Sequence, residues 1–292
     1  MKELTIKAHA KINLGLYITG KRDNGFHELC SIFLPVELHD TMHIKMDEGL
    51  STLRIRVSGP YADQCPSDEK NIVFKAYNKL RALKNGVPLG LDLQIEKNIP
   101  AEAGLGGGSS DAAAFLVALN TMWGLHLPMD ELKAIGATLG ADVPFFIDSK
   151  PALVKGIGDI IRPFELKRDY WAVIAKPRKG LSTAQVYKEF TLDLTLKTRN
   201  AKHSELLESL SFQGLNKAEE LGPLSNDLER VSSAVLPEIR DVRDSLEKMR
   251  PIVCMMSGSG SAVFALFDKE PELEFQAEEP TWFFCTTKVM RG

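Results

Sequence analysis

The chain has 292 residues, of which 44% are hydrophobic and 26% are charged, and its 36 Lys and Arg nearly balance its 39 Asp and Glu. This composition is typical of a globular protein with one large domain or two moderate ones, and it excludes long disorder and fibrous architecture. The net charge of −3 favours neither nucleic acid nor an anionic membrane as a partner.

The cysteine pattern and the hydropathy indicate where the protein works. The four cysteines are widely spaced and form no CxxC pair, so neither a disulfide framework nor a zinc knuckle is predicted. No apolar run approaches the roughly 20 residues that span a bilayer, and the N-terminus lacks the apolar core of a signal peptide. We therefore expect a cytoplasmic protein without a membrane partner.

The first hundred residues are rich in predicted strands. Apolar residues alternate from Leu4 to Ile18, which is the period of a β-strand, and the face opposite the core carries Lys11 and Asn13. Residues 23–25 (Asp-Asn-Gly) predict a turn, because Asn and Gly tolerate positive φ. The same alternation predicts further strands at 42–46, 53–57 and 91–95.

Helical spacing of apolar residues appears in three segments of the N-terminal half. It predicts helices over 71–83, 110–123 and 128–139, of which the second is mostly buried. The third helix is expected to stop at Gly140, so that Asp142 sits at an element boundary.

The C-terminal half mixes strand and helix signals. A strand is predicted at 172–175, a charged segment at 197–208, a helix at 238–249 and strands at 252–256 and 262–267. A boundary near Arg162 and Pro163 predicts two domains, 1–162 and 163–292. No internal repeat or low-complexity tract is evident.

The stretch PAEAGLGGGSSDAAAFL (100–116) follows the strand predicted at 91–95 and includes the start of the helix predicted from Ser110. Such a loop directs several backbone N–H groups at one spot, where the helix dipole also favours negative charge, and this predicts a phosphate cradle. The alternative is a tight strand-to-helix turn without a ligand. Neither GxGxxG nor the Walker pattern fits, because the first needs Gly and the second needs Lys where Ser109 stands.

GLGGGSSDAAAFL closely resembles the phosphate loop of the GHMP small-molecule kinases, named from galactokinase, homoserine kinase, mevalonate kinase and phosphomevalonate kinase. Three further motifs occur in the family's order along most of the chain: AHAKINLGLYITGKRDNGFHEL, LGADVPFF and MMSGSGSAVFALF. The resemblance implies an α+β protein of two domains with substrate and ATP in the cleft between the domains.

The first of these motifs is most similar to the branch of the family that acts on 4-diphosphocytidyl-2-C-methyl-D-erythritol. The resemblance therefore implies an ATP-dependent phosphotransferase with an alcohol acceptor, the 2-hydroxyl of that small molecule, in non-mevalonate isoprenoid precursor biosynthesis. Two alternatives stay open: another kinase of the family, acting on mevalonate, homoserine or a sugar, and a catalytically silent ligand-binding homologue. The NGFH segment favours the first interpretation, since a nucleotide-bearing substrate needs an aromatic ring and a donor there.

The resemblance implies two catalytic residues. Asp142 in LGADVPFF corresponds to the family's catalytic aspartate, which accepts the proton of the substrate hydroxyl. Lys11 corresponds to the catalytic lysine, and we infer that its charge keeps Asp142 ionised and oriented. The alternatives are an Asp that caps or turns the chain before Pro144 and a solvated strand lysine.

Four residues are expected at the substrate. The resemblance implies that Phe26 stacks on the cytosine, that His27 hydrogen-bonds to it and that Tyr187 is the second stacking aromatic. Asn13, beside Lys11, is also assigned to the substrate. The alternative for the aromatic after Gly25 is a side chain packed on the core.

The ATP site is expected around the glycine loop, with Mg²⁺ arriving as Mg-ATP and without a dedicated metal site on the protein. For the two serines of this set, the alternative is ordinary helix capping. Glu102 departs from the family pattern and is expected to point to solvent. The resemblance also predicts Gly258 and Gly260 close to Gly106 and Gly107; monomer and homodimer are both open. The predicted ATP-binding residues are Asn71, Lys97, Pro100, Ala101, Glu102, Ala103, Gly104, Leu105, Gly106, Gly107, Gly108, Ser109 and Ser110.

Overall fold

The computed structural model describes residues 2–83, 90–191, 194–272 and 282–292 of the chain. The strands in these residues are β1 (Glu3–Lys21), β2 (His27–Met46), β3 (Leu53–Ser58), β4 (Leu91–Glu96), β5 (Ala152–Gly156), β6 (Ile160–Pro163), β7 (Trp171–Lys176), β8 (Val253–Met256), β9 (Val263–Phe267) and β10 (Phe283–Lys288). The α-helices are α1 (Ile72–Arg81), α2 (Gly107–Met122), α3 (Met129–Ala137), α4 (Val143–Asp148), α5 (Thr183–Glu189), α6 (Leu194–Phe212), α7 (Glu229–Val235) and α8 (Glu238–Glu247). The fold is α+β, as predicted.

The chain forms two compact units, and neither is one continuous segment of sequence. The first comprises Met1–Ala10, Leu38–Ala101 and Gly106–Ser149. The second comprises Lys11–Glu37, Glu102–Leu105 and Lys150–Gly292. β1 and β2 are each divided between the units, whereas the predicted boundary after residue 162 separates continuous domains; that boundary stays a prediction.

In the first unit, strand β4 lies between two neighbours. It runs parallel to β3 and antiparallel to residues 41–46 of β2. Leu91, Leu93 and Ile95 alternate along β4 and are completely buried, so one face of the strand belongs to the core.

Helix α2 contacts α1, α3 and α4 in the same unit. Its residues are buried on nearly every side, from Ser110 and Asp111 through Ala112, Ala113 and Phe115. Small alanine side chains let neighbouring helices approach closely, because they leave little volume to pack around. The residues that follow the glycine loop are therefore held on several sides.

The second unit contains an antiparallel sheet with the strand order β10-β7-β9-β8. Helix α8 packs against β7, β8 and β9. In the same unit, residues 29–33 of β2 pair with β5, which pairs in turn with β6.

The turn between β8 and β9 carries the sequence SGSGS (257–261) and is buried. Asn226 holds it, since its Nδ2 donates to the carbonyl oxygens of Met256 and Gly258, each at 2.8 Å. The Oε2 atom of Glu229 accepts from the N–H of Met256 at 3.0 Å. Two side chains near the start of α7 therefore fix this turn.

Most of the predicted elements are confirmed to within a few residues. These are the strands predicted at 4–18, 42–46, 53–57, 91–95, 172–175, 252–256 and 262–267 and the helices predicted at 71–83, 110–123, 128–139 and 238–249. The charged segment at 197–208 lies within α6, where Leu207 and Leu210 are buried and Arg199, Lys202 and Glu205 are exposed.

The prediction that Lys11 and Asn13 lie on a face away from the core is wrong. Lys11 is 3% exposed and Asn13 is 1% exposed, whereas Lys7 on the same side of β1 is exposed. Residues 10–18 are buried on both faces of the strand. Polar side chains are found on a buried face only when they hydrogen-bond there, as these two do.

All four cysteines are free thiols. Burial raises the pKa of Cys254 to about 12, which keeps this thiol protonated and unreactive near neutral pH. Among the described residues, no helix has both the length and the apolar character needed to cross a membrane.

We expect Asn226→Ala to destabilise the second unit. The substitution leaves the carbonyls of Met256 and Gly258 and the N–H of Leu228 without the partner that Asn226 provides. Each unsatisfied buried group costs about 1–3 kcal/mol, so the loss of a partner by three groups should lower the free energy of unfolding by about 3 kcal/mol or more in urea denaturation. Asn78→Ala, at an exposed position of α1, is the control and should change it by less than about 0.5 kcal/mol. Equal unfolding curves for the two variants would contradict this account of the SGSGS turn.

Candidate active site

Two glycines of the loop have conformations or contacts that other residues would not tolerate. Gly104 and Gly106 have φ values of +73° and +75°. A Cβ atom at Gly104 would also overlap the carbonyl oxygen of Ser257. At Gly108, by contrast, an added Cβ would meet nothing within 4 Å. Close backbone approach at Gly104 and positive φ at Gly106 therefore explain two of the four glycines.

The SGSGS turn is bonded to the first half of the glycine loop. Ser257 Oγ donates to the carbonyl oxygen of Gly104 at 3.0 Å. The backbone N–H groups of Ser261 and Ala262 donate to the carbonyls of Glu102 at 3.2 Å and Ala103 at 3.1 Å. The two glycine motifs thus meet at Glu102–Gly104, within the second unit. The predicted proximity to Gly106 and Gly107 stays a prediction, because those residues belong to the first unit.

Lys11 and Asn13 belong to the same hydrogen-bonded network. The Lys11 ammonium donates to Asn13 Oδ1 and lies 4.7 Å from the centre of the Phe33 ring. The Asn13 N–H donates to Ser257 Oγ at 3.3 Å, and its Nδ2 donates to Ser31 Oγ at 3.1 Å. Ser257 therefore links the strand that carries Lys11 to the carbonyl of Gly104.

Helix α2 begins without a side-chain cap. Its N-cap residue is Gly106, which has no side chain, and no capping hydrogen bond is formed. Ser109 and Ser110 lie inside the first turns of the helix, so the capping alternative for these serines is wrong. A helix start of this kind presents backbone N–H groups and the positive end of the helix dipole to an anion.

Asp142 occupies the N-cap position of α4, yet its side chain makes no capping hydrogen bond to that helix. The capping part of the alternative is therefore wrong, whereas Asp142 does lie in a turn before Pro144. An added Cβ at Gly140 would lie 3.7 Å from Ser109 Oγ, so this segment and the start of α2 are neighbours within the first unit. The pairing of Asp142 with Lys11, which belongs to the second unit, stays a prediction.

Aromatic residues of two segments come together in the second unit. The ring of His27 lies 5.5 Å from that of Tyr187, at an interplanar angle of 36°, and 6.0 Å from that of Phe190. Burial, with a smaller effect of Lys21, lowers the pKa of His27, so the ring is neutral near pH 7. Phe26 is 59% exposed, and the alternative that it packs on the core is wrong.

Asn71, assigned above to the ATP site, is engaged in the fold. It is the N-cap residue of α1: its Oδ1 accepts from the N–H of Val73 at 2.9 Å. Its Nδ2 donates to the carbonyl oxygen of Pro66 at 2.7 Å and to Cys65 Sγ at 3.4 Å. These contacts satisfy the side-chain amide, and the role of Asn71 toward ATP stays a prediction.

Lys97 is 6% exposed, so it is not the solvated lysine that its place beside a loop suggests. Its ammonium lies between the carboxylates of Asp40 and Asp111, at 2.7 Å from Asp111 Oδ2. Burial alone lowers the pKa of Lys97, but the two carboxylates outweigh burial and raise it above its ordinary value. Lys97 is therefore a fixed positive charge inside the first unit, and its contact with ATP stays a prediction.

The remaining loop residues differ in exposure. Glu102 is exposed, as expected for a side chain that points to solvent, and has a left-handed backbone with φ of +51°. Pro100 and Leu105 are buried, and the N–H of exposed Ala101 donates to Gln64 Oε1 at 2.9 Å. Within the described ranges, no group of three or more His, Cys, Asp and Glu is placed to hold a metal ion.

The sequence alone did not indicate several residues of this site. Ser257 stands in a motif that was recognised only by its glycines, and Asp111 follows the two serines directly. Phe190 lies three residues after Tyr187, close to the spacing of one helical turn, which could have indicated it. Asp40 lies in a strand with no local signal for its role.

Comparison with known proteins identifies the family. Residues 71–150 match the model of the GHMP kinases N terminal domain, and residues 205–279 match that of the GHMP kinases C terminal.

The chain is 41% identical, over 99% of its length and 98% of the relative's, to the 4-diphosphocytidyl-2-C-methyl-D-erythritol kinase of Carboxydothermus hydrogenoformans. A crystal structure of 4-(cytidine 5'-diphospho)-2C-methyl-D-erythritol kinase, 30% identical, superposes with a TM-score of 0.76 over 99% of this chain and 100% of that one. The structure of homoserine kinase from Cytophaga hutchinsonii, 17% identical, has a TM-score of 0.77 over 100% and 96% of the two chains and shares the fold alone. The chain belongs to the GHMP kinase family.

Proposed function

We propose that the protein transfers the γ-phosphoryl group of ATP to the 2-hydroxyl of 4-diphosphocytidyl-2-C-methyl-D-erythritol, a step toward isoprenoid precursors. The observation that carries this proposal is the 41% identity, over 99% of the chain, with a kinase named for that substrate. Homoserine kinase is a weaker guide, because at 17% identity it shares the fold alone.

The proposed reaction needs one base and one cation beside the acceptor oxygen. Asp142 takes the proton of the 2-hydroxyl while that oxygen forms a bond to the γ-phosphorus, and the bond from phosphorus to the bridging oxygen breaks to release ADP. Lys11 holds Asp142 ionised and stabilises the acceptor oxygen. This division of labour suits phosphoryl transfer, whose loose transition state requires mainly positioning and charge stabilisation.

The glycine loop is the proposed site of the triphosphate. The uncapped start of α2 supports this proposal, because its N–H groups and helix dipole favour an anion. We propose that Mg²⁺ comes with ATP, held by phosphate oxygens, and that it neutralises charge on those oxygens when bound. Ser109 and Ser110 then offer hydroxyls to the phosphates.

The aromatic group of the second unit is the proposed cytosine site. A neutral His27 offers both a donor and an acceptor to the base edge, and Tyr187 and exposed Phe26 offer ring faces for stacking. Asn13, bonded to Lys11, is proposed to contact the acceptor end of the substrate.

We propose that the protein acts in the cytoplasm on a small molecule, with no nucleic-acid or membrane partner. The net charge of −3 and the free thiols support this location and partner class. Monomer and homodimer both remain compatible with the proposed reaction, which requires residues of one chain only.

An ADP-release assay with ATP and Mg²⁺ tests the substrate. We expect turnover with 4-diphosphocytidyl-2-C-methyl-D-erythritol and none above background with mevalonate, homoserine or galactose, because only the first carries a cytosine. Activity with mevalonate alone would overturn the substrate assignment. Nucleotide binding without turnover of any alcohol would favour the catalytically silent alternative.

Lys11→Met and Asp142→Asn should each lower kcat by about 10²–10⁴-fold, because each removes a charge that acts at the reacting oxygen. The dissociation constant of a non-hydrolysable ATP analogue should change by less than about threefold, since neither residue is proposed to bind the nucleotide. Lys7→Met, at an exposed position of the same strand, is the control and should keep wild-type kcat. If the variants lose nucleotide affinity in proportion to kcat, the assigned roles are wrong.

Gly104→Ala and Gly222→Ala form a matched pair of glycine substitutions. At Gly104 the new methyl meets the Ser257 carbonyl and the backbone has φ of +73°, whereas at exposed Gly222, outside the loop, the new methyl makes an ordinary contact at 3.8 Å. We therefore expect Gly104→Ala to weaken binding of the ATP analogue by about tenfold or more, and Gly222→Ala to change it by less than about threefold. Isothermal titration calorimetry measures both constants, and equal affinities would contradict the role given to the contact between Gly104 and Ser257.

A further inference from the structure

A buried cluster of two carboxyl groups and one ammonium lies beside the glycine loop in the first unit. Lys97, Asp40 and Asp111 form it, and they are 6%, 0% and 2% exposed. Lys97 Nζ contacts one carboxylate oxygen of each aspartate. Buried charges are tolerated only with close partners, so each member depends on the other two.

The cluster holds the chain on both sides of the loop. Asp40 Oδ1 accepts from the N–H groups of Asn98 at 2.6 Å and Ile99 at 2.9 Å, which directly precede Pro100. Asp111 lies in α2, immediately after Ser109 and Ser110. The Lys97 ammonium therefore joins the anchor before the loop to the anchor after it.

In the described part of the chain, one ammonium, that of Lys97, pairs with the two carboxyl groups, and this ratio favours retention of a proton by one of them. Asp111 Oδ1 is buried without a hydrogen-bond partner, a costly situation for an ionised oxygen. Burial, together with the neighbouring Asp40 and against the opposing effect of Lys97, raises the pKa of Asp111 to about 7.

Among the residues that the structure describes, Lys97 is the cation that acts on the pKa of Asp111. Cys65, which precedes α1, is a thiol whose pKa burial raises, so it stays uncharged near pH 7. On the side of α3 and α4, Lys133 pairs with Asp148 at 2.5 Å. Lys97 thus supplies the positive charge that acts on Asp111.

We propose that Asp111 is a positioning residue for the nucleotide: its carboxyl group anchors the start of α2 to Lys97 and, when protonated, adds no negative charge beside the triphosphate. The inference rests on the proposed binding of ATP by the glycine loop. It goes beyond the catalytic roles of Lys11 and Asp142, since Asp111 acts through the position and charge of the loop.

The sign of the pH effect follows from the raised pKa. Below about pH 7 Asp111 is protonated, and as the pH rises through 7 it gains a negative charge at the first turns of α2. That charge repels the triphosphate, so nucleotide affinity falls with rising pH. Because the nucleotide also titrates, the informative quantity is the ratio of wild-type to variant dissociation constants at each pH, in which the nucleotide's own titration cancels.

Two variants of Asp111 separate the anchor from the charge. Asp111→Ala removes the anchor and should raise the dissociation constant of a non-hydrolysable ATP analogue by about tenfold or more. Asp111→Asn keeps an acceptor for Lys97 but cannot ionise. The wild-type constant divided by the Asp111→Asn constant should be near one at pH 6 and rise to about threefold to tenfold by pH 8, measured by calorimetry.

Asp148→Asn, which removes a carboxylate from an ion pair elsewhere in the same unit, is the matched control and should give a ratio that is constant with pH. A constant ratio for Asp111→Asn between pH 6 and pH 8 overturns the proposal, as does unchanged affinity in a folded Asp111→Ala. If Asp111→Ala does not fold, the Asp111→Asn ratio alone decides. Failure of the wild-type protein to bind the analogue would instead overturn the proposed function on which this inference rests.

Discussion

The contact between the carbonyl of Gly104 and Ser257 is the constraint on which the second unit's part of the site depends. The two backbones approach so closely that position 104 has no room for a Cβ atom. The hydroxyl of Ser257 then serves two partners, because it donates to Gly104 and accepts from the N–H of Asn13. One side chain thus sets the position of the loop relative to the strand that carries Lys11, and Asn226 and Glu229 fix the turn on which Ser257 stands.

Both lysines of the proposed site are buried, and the cost of burying an ammonium limits how each is held. Lys97 is held by the carboxyl groups of Asp40 and Asp111, so it works as a fixed structural charge. Lys11 is held by the amide oxygen of Asn13 and by the face of the Phe33 ring. An amide oxygen and the face of an aromatic ring stabilise the buried ammonium of Lys11, as the carboxyl groups of Asp40 and Asp111 stabilise that of Lys97.

Local patterns in the sequence were sufficient for many of the elements and for the glycine loop, and they failed for contacts between distant residues. Alternation in β1 predicted a strand, but it could not show that Lys11 and Asn13 are buried, since one of the groups bonded to Asn13, Ser257, lies 244 residues away in the sequence. The burial of Lys97 was not predicted either, because its partner Asp40 lies 57 residues away in the sequence. Short elements such as β6 and α4 lack the length over which a period can be recognised.

The two helix starts of the first unit that carry the proposed site share one property. Gly106 cannot cap α2 because it has no side chain, and Asp142 occupies a cap position of α4 without making the capping bond. A good cap contributes about 1 kcal/mol of stability, so the chain gives up this stabilisation at both places. At α2 the vacated role suits an anionic ligand, whose oxygens accept from the same N–H groups. At α4 the Asp142 side chain makes no hydrogen bond to the helix whose N-cap position it occupies, so the proposed role as a proton acceptor does not compete with a capping role.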